Sequence, residues 1–330
     1  MNAKERVKRA IHFGTPDRIP NHLPEPWPND IVWIFPKGKD VSLEQRDGKN
    51  YRLSEWGSWW HVVSEQNMGE VVKPAVEEWI EYKEYVFPAV NESGRYDHAG
   101  EIIEKNKDKY LIGVLSASLF PQYWEIRGLM NFYQDLFEEP DMMEQLLDAI
   151  VDIQIESLEI WSRHPIDGIV VGFDDWGLQD RLMISPDMFR EYFLPRYIKV
   201  WSRIHEKGLD VILHSCGDIT SILPDLIAAG LDVINMDQQE NMGLERLGKE
   251  FGDKICFWNP VDIQTVMLNG TNEEIDRYVE KMIRCLASEK GGFIGKYYPQ
   301  PEAVHHTQER NAAAFDSLIR HSTMFSNIDS

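Results

Sequence analysis

His214 and Cys216 stand two residues apart at the end of a short apolar run, Leu209-Asp-Val-Ile-Leu-His-Ser-Cys-Gly217. Asp210 to Leu213 is rich in β-branched residues and too short for a helix, so it predicts a buried strand that Gly217 ends. Even spacing puts the imidazole and the thiol on one side of that strand end. The pair suits a soft metal such as zinc, which takes nitrogen and sulfur donors readily. Taken alone, it equally fits a core histidine beside an inert buried cysteine.

The surrounding pattern supplies the context. Gly-Leu-Asp-Val-Ile occurs at Gly208–Ile212 and again at Gly230–Ile234, each an apolar strand preceded by a helix. Such a step implies a right-handed parallel crossover. Strand starts are expected at Ile19, Leu111, Gly168, Asp210, Asp232, Ile255 and Gly292, with an eighth between Asp30 and Glu104. Helices are marked between them. Thr271 and Glu274 form a capping box, Ser185-Pro186-Asp187 an N-cap with proline following, and Asp141–Arg163 a long helix; Pro195 should kink its own. Asn2–Phe13 reads as a basic amphipathic helix before the first strand. The alternation predicts the α/β class and a (β/α)₈ TIM barrel spanning 1–330 as a single domain. A doubly wound sheet is the runner-up, without a Gly-x-Gly-x-x-Gly or Gly-Lys-Ser/Thr loop to support nucleotide binding. Residues of about 30–104 read as an insertion or lid after the first strand. Within it Tyr51–Val63 is expected as a β-hairpin crowded with Trp56, Trp59 and Trp60.

Composition narrows the partners. Against 34 Lys and Arg stand 55 Asp and Glu, a formal net charge of −21, which repels nucleic acid and anionic membranes. No apolar run approaches the roughly 18 residues of a membrane span, and no signal-peptide core opens the chain. Three cysteines without framework spacing fit a reducing cytoplasm.

The segments Asp174-Asp-Trp-Gly-Leu-Gln179, Met183–Phe189, Leu213-His-Ser-Cys-Gly217, Val261-Asp-Ile-Gln264 and Gly291-Gly-Phe-Ile294 together resemble the uroporphyrinogen decarboxylase superfamily. The likeness extends to Glu5-Arg-Val7 and Pro16–Pro20 and is weakest between Asn21 and Glu104. It implies a TIM barrel with its site at the C-terminal mouth, and one of two chemistries. Porphyrinogen decarboxylases hold an eight-carboxylate substrate with arginines after the first strand. Here Asn21–Pro28 offers no arginine and contains Glu25. Arginine's bidentate fork is what grips carboxylates, so that reading becomes the alternative. The corrinoid-dependent methyltransferase branch is nearer. It implies a methyl transfer between a cobalamin-bearing protein and a small-molecule donor or acceptor at a zinc site of type His-x-Cys followed by a later Cys.

His214 and Cys216 match the first part of that motif. Where the third ligand would fall, Lys296-Tyr-Tyr-Pro299 carries no cysteine, and Cys256 and Cys285 read as core thiols. An oxygen from Glu125, Asp174, Asp237, Gln238 or Tyr298 would then complete the site, Glu125 being placed in the metal set. Asp174, Gln179, Asp237 and Tyr298 are the expected catalytic residues. Trp176, Asn259 and Tyr297 are the expected corrinoid contacts. Strand-end position points Asp174 toward the barrel axis, whereas Asp175 is equally readable as a loop cap. A relative that keeps the barrel and has lost the chemistry is a further alternative, distinguished by its lack of metal.

Overall fold

The computed structural model describes residues 1–39, 42–62 and 69–325. Eight parallel strands form the central sheet: β1 (Asn21–His22), β2 (Ile31–Ile34), β7 (Tyr110–Val114), β8 (Gly168–Phe173), β9 (Asp210–His214), β10 (Val233–Asn235), β11 (Cys256–Asn259) and β12 (Phe293–Lys296). Their order, β1-β12-β11-β10-β9-β8-β7-β2, curls the ends together. The Asp30 N–H donates to the Asn21 carbonyl at 2.8 Å across the remaining seam. With helices between the strands this is the expected (β/α)₈ barrel. Among the described residues no helix is long and apolar enough to cross a membrane.

Period-two alternation divides each strand between two cores. Ile112, Val170, Ile212, Val233, Trp258 and Ile294 point into the barrel, while Leu111, Ile169, Val211, Ile234, Phe257 and Phe293 face the helical layer. Cys256 lies in the inner core and is fully buried, as expected of a packing thiol. The helix Pro140–Trp161, which opens on a proline in its first turn, supplies much of the outer layer. Thr271 and Glu274 form the predicted capping box. The break expected at Pro195 takes the form of a π turn over Phe189–Phe193 leading into the helix Leu194–Glu206. Pro195 has no N–H to continue the ladder, and the wide turn absorbs that loss.

The position of the insertion corrects the sequence expectation. The eighth strand is β2, so the extra segment follows the second barrel strand instead of the first. It forms a four-stranded antiparallel sheet of β3 (Leu43–Arg46), β4 (Lys49–Leu53), β5 (Trp59–Val62) and β6 (Glu70–Lys73). β4 and β5 make the expected hairpin, whose final residue Val63 lies outside the described residues.

At the opposite end of the barrel the helix Ala3–Ile11 inserts Val7 and Ile11 against the inner core. Its cations meet acids at the strand N-termini: Arg6 Nη1 to Asp30 at 2.8 Å, Lys4 and Lys8 to Asp167 at 3.0 Å each. His12 Nε2 reaches Asp210 Oδ1 at 2.9 Å, and the Tyr110 hydroxyl donates to the same carboxylate. The hydrogen bond to Asp210 raises the His12 pKa, with Asp232 adding to it and burial and Lys8 opposing. A histidine whose folded pKa lies above the unfolded value stabilises the fold fully below about pH 6.5, and that contribution fades as pH rises through the folded value. Urea unfolding at pH 5.5 and 8.5 should therefore show wild type losing up to about 1 kcal/mol more than His12→Gln over this interval, the half-exposed imidazole being screened by solvent. Identical pH dependence in the two proteins would remove His12 from this role.

Candidate functional site

The same alternation carries side chains past the inner core to the C-terminal mouth. His22, Trp33, Phe173, His214, Asn235 and Lys296 come from six strands and line one cavity of about 530 Å³. Asp237, Tyr297 and Tyr298, just beyond β10 and β12, complete its polar side.

His214 ends β9, with its Nε2 3.4 Å from Cys216 Sγ and 3.6 Å from Asp175 Oδ1. The donor atoms of these three residues all lie within 4.8 Å of one another. Tetrahedral zinc with bonds of about 2.0–2.3 Å separates its ligand atoms by about 3.3–3.6 Å, and both distances from His214 Nε2 fall in that range. The loop is shaped by close backbone packing. A Cβ on Gly217, which has φ +75°, would fall on the Gly177 carbonyl. That contact sets the Cys216 loop against the Asp175 loop. The Cys216 N–H donates to Asp175 Oδ1 at 2.8 Å, and the Gly217 N–H to Gln238 Oε1 at 2.9 Å.

The orientation of His214 is fixed from behind. Asn235 Oδ1 lies 2.8 Å from Lys296 Nζ and 2.7 Å from His214 Nδ1. An ammonium only donates, so the amide group at this position is the oxygen, and Nδ1 must carry the proton it accepts. In the neutral imidazole the lone pair is then on Nε2, which faces Cys216 and Asp175, the tautomer a metal ligand needs. Lys296 also pairs with Asp237 Oδ1 at 2.7 Å, and both residues are buried.

Burial pushes the Cys216 thiol up, and the Asp175 and Asp237 charges add to this. Tyr298 is raised to about 12 by burial and by Asp237, Cys216 and Asp175, so it remains a donor at neutral pH. His22 is pushed down to about 3 by burial and the Lys296 charge, and is uncharged.

Several expected site residues lie elsewhere. Asp174 does not face the axis. The pairing of β8 with β9 slips between Val170 and Gly172, so Phe173 stands opposite His214. An inserted residue moves everything after it to the other face. Phe173 and Asp175 turn inward and Asp174 outward. There Asp174 Oδ1 accepts from the Phe120 N–H at 3.1 Å and Oδ2 from the Tyr197 hydroxyl at 2.7 Å, while burial raises it to about 7. Trp176, placed among corrinoid contacts, is fully buried, stacked 4.4 Å from Phe120 with its Nε1–H donating to Tyr197. Glu125 accepts from Trp60 Nε1 and Gln122 Nε2 beneath the inserted sheet, outside the His214 cluster. Asn259 is buried, its amide donating to the Met236 carbonyl at 3.0 Å. Gln179 is exposed at the tip of the turn bridged by Gly177 and Leu182. Asp237, Tyr297 and Tyr298 do line the cavity. Gly172, an isolated glycine inside a strand, was the signal for the bulge, and counting in twos along each strand would have found His22, Trp33, Asn235 and Lys296.

A barrel with a His/Cys/Asp cluster at its C-terminal mouth defines a class, and the comparisons give the family. The sequence profile of the uroporphyrinogen decarboxylase (URO-D) family matches residues 60–297; the chain belongs to this family. Two curated relatives, both from Methanosarcina mazei, are methylcobamide:CoM methyltransferase MtbA, 24% identical over 46% of this chain and 43% of the relative, and methylated-thiol–coenzyme M methyltransferase, 22% identical over 56% and 49%. The chain thus spans less than half the length of either. A solved methyltransferase from Methanosarcina mazei superposes with a TM-score of 0.68 over 97% of this chain and 99% of its own, at 15% identity, a likeness of fold.

Proposed function

We propose that this chain is a methyltransferase that moves a methyl group between a corrinoid, carried by a partner protein, and a small molecule bound in the mouth cavity. The observation that carries the reading is the His214–Cys216–Asp175 cluster, with the lone pair of His214 Nε2 turned toward it. It sits in a member of a family whose matched relatives bear methylcobamide and methylated-thiol methyltransferase names. His214, Cys216 and Asp175 are the residues that would hold zinc. When bound, the ion lowers the pKa of a thiol or hydroxyl, or polarises an ether or thioether, at the point of transfer. Asn235 and Lys296 keep His214 in the required tautomer, and Asp237 neutralises the buried ammonium. Tyr298 stays protonated, able to donate to the substrate heteroatom. Phe173, 5.6 Å from the His214 ring, keeps water from one flank.

Porphyrinogen decarboxylation is disfavoured by the same cavity. Among the described lining residues there is no arginine, and the one lysine is already paired with Asp237. Eight substrate carboxylates would find no bidentate partner within a chain of net charge −21. Incubation with methylcobalamin and a panel of thiols, followed by the visible spectrum, should show thiol-dependent loss of the methyl–cobalt species, while uroporphyrinogen is left unchanged. Porphyrinogen turnover at an ordinary enzymatic rate of roughly 1 s⁻¹ or more would overturn the reading.

A further inference from the structure

One side of the mouth cavity is a continuous wall of aromatic rings. The Trp33 centroid lies 5.8 Å from Phe35 and 5.9 Å from Phe173, and Phe35 and Phe173 are nearly parallel, 12° apart at 6.5 Å. Phe35 is 50% exposed, and Trp33 and Phe173 are partly open to the same space. Large rings left open along a concavity mark a ligand contact more often than an accident of packing. The wall runs directly into the candidate metal site through the Phe173–His214 contact.

Charge restricts what can lie there. Lys296 and Asp237 compensate one another, and His22 is uncharged. Asp175, with a side chain 57% exposed, stands 3.6 Å from the cavity-lining His214. An anionic ligand would meet that carboxylate and the field of a strongly acidic chain, and among the described lining residues the one lysine is already paired. A fixed cation such as a quaternary ammonium has no lone pair to present to His214, Cys216 and Asp175. The volume, about 530 Å³, is ample for a ligand of one or two rings.

We propose that the cavity binds an uncharged aromatic molecule, its ring packing against the cluster of Trp33, Phe35 and Phe173 and a heteroatom substituent directed at His214, beside Cys216 and Asp175. The role of that substituent rests on the methyl-transfer reading; the ring site does not.

Titration calorimetry of the full-length protein tests this with four probes. They are 4-methoxyphenol, its saturated counterpart 4-methoxycyclohexanol, anionic 2-mercaptoethanesulfonate and tetramethylammonium. The methoxyphenol should bind at least about tenfold more tightly than the cyclohexanol, because an aromatic ring gains ring–ring contacts that a saturated one lacks, and Phe35→Ala should weaken it roughly fivefold. Phe35 is half exposed, so its removal leaves the fold intact. The sulfonate and the ammonium ion should give no measurable heat. The inference is overturned by equal binding of the two methoxy compounds, by tighter binding of either ion, or by a Phe35→Ala variant unchanged toward methoxyphenol. Loss of methylcobalamin affinity alone in that variant would assign the wall to the corrin. Methoxyphenol binding by a protein that shows no methyl transfer from methylcobalamin to any thiol or phenol would sustain this site and defeat the proposed activity, so the two failures are distinguishable.

Discussion

Cys216→Ser is expected to reduce the zinc content of anaerobically purified protein from about one ion per chain to below roughly a tenth. Serine keeps the shape of the side chain but replaces a soft, ionisable sulfur with a hydroxyl that binds zinc poorly at neutral pH. Without a metal, burial and the flanking carboxylates hold the Cys216 thiol protonated; with a metal, the thiolate form is the ligand. His214→Ala should have a comparable effect, since Nε2 lies 3.4 Å from the sulfur and 3.6 Å from the Asp175 oxygen. Cys256→Ser and Cys285→Ser are the internal controls. Cys256 is sealed in the barrel's inner core, and Cys285 lies on the helix Asn272–Leu286, outside the cluster. Elemental analysis of the four variants decides the matter. Equal metal in all of them, or equal loss from all of them, would mean that the ligand set is wrong.

The second large effect concerns stability. Trp176→Ala should lower unfolding free energy by about 3–5 kcal/mol, the usual range for removing a large ring from a close-packed core. The indole stacks on Phe120 at 19°, meets Phe189 and Phe193 edge-on at 5.3 and 4.5 Å, and donates its N–H to Tyr197. Truncation would remove all of these contacts and leave the Tyr197 hydroxyl, which itself donates to Asp174, without one neighbour. Denaturant unfolding of wild type and variant measures this. Unchanged stability accompanied by weakened methylcobalamin binding would return Trp176 to the mouth of the barrel.

The two predictions fall on opposite sides of one residue count. His214, Cys216 and their strand were legible in the sequence because an apolar β-branched run fixes the strand and even spacing fixes a shared face. The barrel followed from the alternation of such runs with capped helices, and each barrel strand was placed within a few residues except β2. That strand is only Ile31–Ile34, flanked by loop and the aromatic insertion, too brief to stand out by period. Parity, though, persists only while the ladder is regular. The slip between Val170 and Gly172 exchanged the inward and outward faces of the next residues. It sent Asp174 and Trp176 into the helical layer and brought Phe173 and Asp175 to the mouth.

Local pattern, then, determined which residue types end each strand and that those ends share one face. Tertiary structure decided the rest: which of two adjacent aspartates joins the histidine and cysteine, and how Lys296, 82 positions along the chain from His214, holds that histidine through Asn235. The physical reason is that a strand's register is set by its partner and by backbone pairing across the sheet. Contacts between distant strand ends likewise exist only once the barrel has closed, so neither is encoded in the spacing of any single segment.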